Sequence, residues 1–325
     1  SHPDYTGLEF PSPGAAAAVV GQGNVALDVA RILARSPEAM RETDIDVDAL
    51  ERIAQWQRDG LRTIHVIGRR GFVQAAFTNK ELRELGSYDD VLAVVDPAEL
   101  ELSMNAASEA ELATSRIKKR SREILEKMAA NFADKDTTSK RVVWVRFLSS
   151  PTEVLPDAGG SSVGGLRLVR TQLQGEAGQQ VAVPTGATED VPCGLIVRSV
   201  GFGLTPLPGL PVDERGRVSH KQGRVKDADG LYVSGWLKRG PTGVIAANIP
   251  DAQETSQRLY ADLVNRGEHS GADTSAVEAQ VEASGARRVS FADWRKIEAE
   301  EFRLGAAQGR PAVKLKDVGA MLRLL

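Results

Sequence analysis

The stretch Gly21-Gln22-Gly23-Asn24-Val25-Ala26 constrains the fold of this chain more than any other. Ahead of it, Ala15 to Val20 form an apolar run of the length and composition of a buried parallel strand. Behind it, Val25, Val29, Ile32 and Leu33 recur at helical spacing. Strand, glycine turn and helix together are the setting that a G-x-G-x-x-G/A pattern needs before it points to a dinucleotide. Gly21 permits the tight turn, and Gly23 lets a pyrophosphate approach the backbone. Ala26 lets the helix pack close to the strand, and the helix N-terminus offers unpaired N–H groups to phosphate. An ordinary βα turn can carry the same glycines, and the flanking strand and helix tip the reading to dinucleotide binding.

A second stretch refines this expectation. Thr63 to Ile67 reads as the next strand and ends in Gly68-Arg69-Arg70-Gly71. Folds that recognise NAD place an acidic residue here, on the adenosine ribose. A guanidinium pair instead suits a 2′-phosphate, so Arg69 and Arg70 favour NADP. A solvated basic turn is the other reading of the same residues. The interval 38–60, with Ile45, Leu50, Ile53 and Trp56, reads as one or two short helices inserted in the crossover. Thr78 is a helix cap with Glu81 in the capping-box position, which gives Glu81 a structural role alongside any ligand contact.

Residues 107–133 read as helical and carry Arg116, Lys118, Lys119, Arg120 and Arg122 close together. Such a run is either a solvated face or a patch that steers an acidic partner. Residues 141–148 and 163–173 are strand-like, joined by a hairpin-type connection at Asp157-Ala158-Gly159-Gly160. The polar stretch 174–190 leads to a buried strand over Cys193–Val200, with Cys193 a core residue. Pro206, Pro208 and Pro211 mark a boundary. Beyond it, a short strand at Leu231–Ser234 precedes Gly235-Trp236 and a Gly240-Pro241-Thr242-Gly243 turn that opens a helix. A flat ring such as a flavin could rest there on backbone N–H groups, or Trp236 could be a core residue of one more strand–loop–helix unit. Residues 252–325 read as helical and charged, with a Gly/Ser linker near 267–275. Trp294 and the terminal 321–325 are expected to pack back onto the body.

Composition removes several function classes. A formal net charge of −3 over 325 residues argues against nucleic acid and against a basic membrane-binding surface. One cysteine excludes a disulfide framework and a cysteine-held cluster, and the scattered His2, His65, His220 and His269 argue against a His-rich metal site. No transmembrane run or signal peptide is legible, so a cytoplasmic protein is expected. The 325 residues suggest two domains.

Together the three stretches resemble the adrenodoxin reductase family of ferredoxin–NADP reductases. Gly21 to Arg31 is similar to that family's NADP turn. Gly68 to Gly71, with Ala76-Phe77-Thr78 and Lys80 to Glu84, is similar to its 2′-phosphate site. Ser234 to Ile245 is similar to its flavin-facing segment, and Val289–Trp294 and Met321–Leu325 fit its tail. The resemblance implies an α/β chain: a Rossmann-like NADP-binding domain over 15–205 after a lead-in at 1–14, then the second half of a Rossmann-like FAD-binding domain and a helical tail over 206–325.

It further implies a flavoprotein reductase that takes a hydride from NADPH onto FAD and passes electrons to a ferredoxin-type iron–sulfur protein. Gly21, Gln22, Gly23, Asn24 and Val25 would then hold the NADP pyrophosphate. Arg69 and Arg70 would clamp the 2′-phosphate, with Glu81 a further contact. Trp236, Gly243, Val244 and Ile245 would lie against FAD, and Gly243 would also approach the nicotinamide. Ring stacking near Gly243 and Trp236 replaces acid–base catalysis, so no catalytic residue and no metal is expected. The ferredoxin would dock near Arg116, Lys119 and Arg120. The family's N-terminal FAD fingerprint has no counterpart ahead of residue 15, so the chain is expected to be a truncated or separately supplied part, with an unpaired sheet edge. An NADP-binding fragment without redox turnover is the second reading. A plain dehydrogenase is the third, disfavoured because it has no use for a flavin cradle.

Overall fold

The parallel strand predicted ahead of the glycine turn is Ala16–Val20 (β1), and it lies at the inner part of a five-stranded sheet. The structure, a computed structural model, describes residues 8–205, 207–266 and 274–325. Pro206, most of the expected 267–275 linker, the first half of the lead-in, His2 and His269 lie outside the described residues.

β1 pairs in parallel with Thr63–Ile67 (β2) on one side and with Leu195–Arg198 (β8) on the other. β2 pairs in parallel with Arg141–Arg146 (β4), and β4 with Val91–Val95 (β3), giving the order β3-β4-β2-β1-β8. One face of the sheet, with Ala17, Val19, Ile64, Val66, Val143 and Val145, packs against helices. These include Asn24–Ala34 (α1), Val47–Arg58 (α3) and Asn79–Leu85 (α4), while the short Pro37–Arg41 (α2) buries no residue and packs on α3. The helix α1 turns Ala26, Leu27, Ala30, Leu33 and Ala34 inward, while Val25 and Ile32 of the predicted stripe are exposed. Small alanines set the close approach of α1 to the sheet.

The other face carries Ala16, Ala18 and Ile67 against Leu166, Leu168, Val191 and the buried Cys193. Leu166, Leu168 and Val191 come from an antiparallel three-stranded sheet, Ser149–Pro156 (β5), Val163–Gln174 (β6) and Val181–Pro192 (β7), and Cys193 directly follows its last strand. This sheet corrects two expectations. The turn at Asp157–Gly160 joins β6 to β5, not to the strand 141–146, which belongs to the parallel sheet. The polar stretch 174–190 contains most of β7, which shows no alternation because positions on both of its faces are exposed and only Val191 is buried.

The predicted helical span 107–133 is two helices, Ala106–Thr114 (α6) and Arg116–Ala130 (α7), preceded by Pro97–Leu102 (α5). Ser115 divides them because its hydroxyl accepts from the Lys118 amide and so starts α7 anew.

Contacts divide the chain into two compact units, residues 201–288 and the remainder. The tail 289–325 groups with the first unit. Its Phe291–Ala307 (α11) and Val318–Leu322 (α12) bracket Arg310, which donates to the Thr43 and Ile45 carbonyls, and Lys316, which pairs with Asp46 and Asp48. Trp294 stacks on Phe291 and remains partly exposed, so these polar ties do more of the anchoring than its ring.

In the second unit His220–Lys221 (β9) and Arg224–Val225 (β10) form a two-residue hairpin. Leu231–Ser234 is not a strand, contrary to expectation. Only Tyr232 makes a bridge, to Arg224, because β10 is too short to extend the ladder. Trp236–Arg239 (α8) is a single turn. The Gly240–Gly243 turn leads through a 3-10 turn at Ile245–Ala247 into Asn248–Arg266 (α9), and Ser275–Ala283 (α10) follows the undescribed segment.

Candidate functional site

In the first unit the site lies beyond the carboxyl ends of β1 and β2, where the strand order reverses about β1. Gly21 leaves β1 with φ +137° and donates to the Ile67 carbonyl at 2.8 Å. A Cβ at Gly21 would collide with the Ser199 backbone, so both the conformation and the space require glycine. Gly23 caps α1 without a side-chain bond and has open space where a Cβ would stand. The first intrahelical bond is from Ala26 N to Gly23 O, so the amides ahead of it point out of the helix toward that space. No acidic residue occupies the first turn of α1. An eleven-residue helix presenting free amides and open space fits a pyrophosphate.

Two of the predicted ligands are fixed by their side chains. Gln22 donates from Nε2 to the Arg146 carbonyl at 2.7 Å and passes beneath Gly68, where a Cβ would strike it. Its backbone carbonyl accepts from the Ala76 amide at 2.9 Å. Asn24 Oδ1 accepts from the Thr78 amide at 2.8 Å, tying the start of α4 to the start of α1. Val25 is half-exposed on the first turn.

Arg69 and Arg70 stand at the end of β2, exposed, and neither guanidinium makes an ion pair among the described residues. Their backbones are pinned, since Arg69 O accepts from Thr171 Oγ1 at 2.6 Å and Arg70 O from the Leu148 amide at 3.2 Å. A rigid backbone carrying two unpartnered cations suits a dianionic phosphate. Glu81 is differently placed. Its carboxylate lies 3.2 Å from Arg31, which also pairs with Asp28 and with Glu84 at 2.8 Å, so it braces α4 against α1. Thr78 caps α4 as expected, although Glu81 does not complete the capping box.

Beneath the arginine loop lies a charged group that sequence reasoning did not find. Arg146, 1% exposed, pairs with Glu189 at 2.6 Å, and Arg170 pairs with Glu189 at 3.0 Å and Glu99 at 2.5 Å. Glu99 also accepts from the Phe147 amide at 2.7 Å. Burial raises the Glu99 carboxyl above its ordinary range against the pull of both arginines. Burial acts the same way on Glu189, but the Arg146 hydrogen bond and charge outweigh it and hold that carboxyl low. Because the Arg146 carbonyl accepts from Gly68 N and Gln22 Nε2, the network fixes the floor of both turns. No periodicity or motif marks residues from four separate elements as partners.

In the second unit Trp236 opens α8 after Gly235, whose φ is +71°. Trp236 is about half-exposed, not a core residue, and its ring lies 5.7 Å from that of the exposed Phe202. The Gly201-Phe202-Gly203 segment that supplies this second ring is the signal sequence reasoning passed over. Gly243 turns at φ +86°, and a Cβ there would press on Ala247 and the Arg239 guanidinium. Val244 and Ile245 follow, with Ile245 88% exposed. The turn is locked from below: Lys238, almost fully buried, contacts Asp251 at 3.2 Å, Glu254 at 2.6 Å and Thr255 at 3.1 Å, and Asp251 accepts from the Gly235 amide. A rigid turn that exposes two rings and two aliphatic side chains fits an apolar planar group such as a flavin.

Arg116, Lys119 and Arg120 are exposed on α7, while Lys118 is half-buried and paired with Glu111. No helix among the described residues is long and apolar enough to cross a membrane.

No family model matches the chain. It is 41% identical over 318 residues to NADPH:adrenodoxin oxidoreductase, mitochondrial, of Bos taurus, covering 95% of this chain and 63% of that protein. It is 38% identical over 336 aligned positions to the NADPH-ferredoxin reductase FprA of Mycobacterium tuberculosis, covering 100% of this chain and 70% of that protein. The structure of that FprA in complex with NADPH matches with TM-score 0.85 and 38% identity, covering 99% of this chain and 70% of that one. The chain thus spans about two thirds of the length of its curated relatives. With the strand–glycine turn–helix, the arginine pair and the Gly235–Ile245 turn in place, the chain belongs to the adrenodoxin reductase-type ferredoxin–NADP reductase family.

Proposed function

We propose that this chain is the NADP-binding part, together with the C-terminal portion of the FAD-binding part, of an NADPH–ferredoxin reductase. The observation that carries the reading is the pair Arg69 and Arg70, without an ion-pair partner among the described residues and on a pinned backbone beside the open N-terminus of α1. The amides of Gly23, Asn24 and Val25 would hold the pyrophosphate, with Gly21 and Gln22 shaping the turn. The two guanidiniums would hold the 2′-phosphate and reject NAD, which leaves them unpaired. Glu81 would act mainly by fixing the α4 start.

Trp236, Gly243, Val244 and Ile245, with Phe202 added, would lie against the flavin. The bound flavin supplies the step from a two-electron hydride donor to a one-electron acceptor. The chain's own contribution is to stack, orient and exclude water, so no side chain need move a proton. The division into an NADP part over 15–205 and a FAD part over 206–325 belongs to the same proposal, as does a cytoplasmic location. The relatives are described as reducing adrenodoxin or ferredoxin. For this chain the exposed Arg116, Lys119 and Arg120 are the proposed landing point for an acidic iron–sulfur protein.

The test is the visible spectrum of the purified chain, alone, with FAD, and then with NADPH. A bound flavin band that bleaches on adding NADPH is expected. A colourless chain that binds NADPH tightly supports the alternative, a nucleotide-binding fragment without turnover of its own. Failure to bind either would overturn the reading.

A further inference from the structure

Three helix starts are chained together in the first unit. Asn24 on α1 accepts from the Thr78 amide at the head of α4. Asn79, the first residue of α4, donates to the Ile117 carbonyl at 2.9 Å and accepts from Ser121 Oγ, which ties it to the first turns of α7. The basic start of α7 is thereby held at the head of α4, which is itself tied to the head of α1.

The inward face of α7 is set by the buried Ser121, Leu125 and Met128. Lys118 precedes Ser121 by three residues and shares that face, whereas Arg116, Lys119 and Arg120 point outward and are exposed. The arginine loop runs directly into the 3-10 turn Phe72–Gln74, which packs against α6 and α7, the two helices that carry Glu111 and Lys118. Burial, and then the charge of the Arg70 guanidinium, push the Lys118 ammonium below its ordinary range. Glu111 is the carboxylate paired with Lys118, and its other oxygen accepts from the Gly178 amide at 3.1 Å. Only Lys118 of these three cations pairs with a carboxylate among the described residues, so Arg69, Arg70, Lys118 and Glu111 together carry an excess of about two positive charges, close to the charge of a phosphate monoester.

We propose that Lys118 is a third cation of the 2′-phosphate pocket, held in readiness by Glu111 and shared with the nucleotide when it binds. This rests on the NADP reading given above. The basic run of α7 then has two roles divided by helical face, with Lys118 serving the nucleotide and Arg116, Lys119 and Arg120 left for the protein partner.

The experiment is calorimetric binding of 2′,5′-ADP and of 5′-AMP, which differ only by the 2′-phosphate, to the full chain. Lys118→Ala should weaken 2′,5′-ADP about two- to fivefold, as expected for a part-exposed ion pair, and leave 5′-AMP unchanged. Its salt dependence should be shallower than wild type. Glu111→Gln should tighten 2′,5′-ADP, and this variant keeps the idea open to failure if Lys118→Ala does not fold. Wild-type affinity in Lys118→Ala alongside loss in Arg69→Ala/Arg70→Ala would overturn the role of Lys118 and leave the NADP reading standing. Indifference of both variants would remove both. Equal loss for both ligands would make Lys118 a structural residue only.

Discussion

Asn24 Oδ1 accepts a hydrogen bond from the Thr78 amide at 2.8 Å, so the side chain that opens α1 also holds the residue that caps α4. This bond gives Asn24 a role its place in a glycine turn did not suggest. Its backbone amide faces the nucleotide space, while its side chain fixes the neighbouring helix. Asn24→Ala leaves the Thr78 amide unpaired and should cost about 1 kcal/mol in urea unfolding. The loss of affinity should be similar for NADP and NAD, because the bond positions the site and does not discriminate. A selective loss for NADP would contradict this.

The arginine pair predicts the opposite pattern. Arg69 and Arg70 make no ion pair among the described residues, so removing them breaks nothing in the fold. Arg69→Ala/Arg70→Ala should leave the melting temperature within a degree or two and weaken NADPH at least about tenfold, with NADH little changed. Equal losses for both nucleotides would sink the 2′-phosphate assignment.

These two cases show where sequence reasoning reaches and where it stops. The β1–turn–α1 unit was legible because each glycine has a local backbone cause, and the arginines because they follow directly on a strand. The cradle at Gly235–Ile245 was legible as a turn with an aromatic ring. The rest depends on residues far apart in the chain. Arg146, Arg170, Glu99 and Glu189 come from β4, β6, α5 and β7, and nothing local marks them as one network. The strand β7 is not legible because residues on both of its faces are exposed and no alternation results, and Leu231–Ser234 reads as a strand although its apolar residues find only a two-residue partner. Lys118 was indistinguishable from its basic neighbours until the buried face of α7 was known.

Gly21 gives a test of the turn itself. Alanine there would adopt φ +137° and drive its Cβ into the Ser199 backbone at the end of β8. Backbone cannot yield as a flexible side chain does, so Gly21→Ala should destabilise the chain by about 2–4 kcal/mol. Gly23→Ala meets open space on the protein side and no positive φ, so it should leave stability nearly unchanged and instead weaken nucleotide binding. Thermal unfolding and NADPH titration of the two variants separate these effects.

His65 sets a pH dependence. On β2 it lies between Ala18 of β1 and Trp144 of β4, with its ring 5.4 Å from the indole. Burial, and then the Arg146 charge, push its pKa down to about 4, against the partial pull of Glu189. The folded state therefore keeps His65 neutral where the unfolded chain, near its ordinary value of about 6.5, takes up a proton. Stability should fall as pH drops from about 6.5 to about 4, by up to roughly 3 kcal/mol from this residue alone, and level off below. His65→Phe, which preserves the ring contact, should flatten the urea midpoint over that window relative to wild type. An unchanged slope would mean that the carboxylates alone carry the acid sensitivity.

Lys238 tests whether the flavin-facing turn is rigid by construction. Its ammonium is buried and satisfied by Asp251, Glu254, Thr255 Oγ1 and the Asp251 carbonyl, while Asp251 also holds the Gly235 amide. Burial works to raise the Asp251 carboxyl, but the Gly235 amide and Lys238 outweigh it and keep it charged. Lys238→Met preserves the chain length and removes the charge, leaving Asp251 as a buried anion with one amide partner. The expected cost is about 3 kcal/mol, since breaking one half of a buried pair exposes the full desolvation of the other. Lys238→Met/Asp251→Asn removes both charges and should recover a large part of that loss. If the turn is what presents Trp236, the single variant should also broaden and red-shift the Trp236 emission, read in a background with Trp56, Trp144 and Trp294 changed to Phe. A single variant as stable as wild type, with unaltered emission, would show that the lysine does not hold the turn.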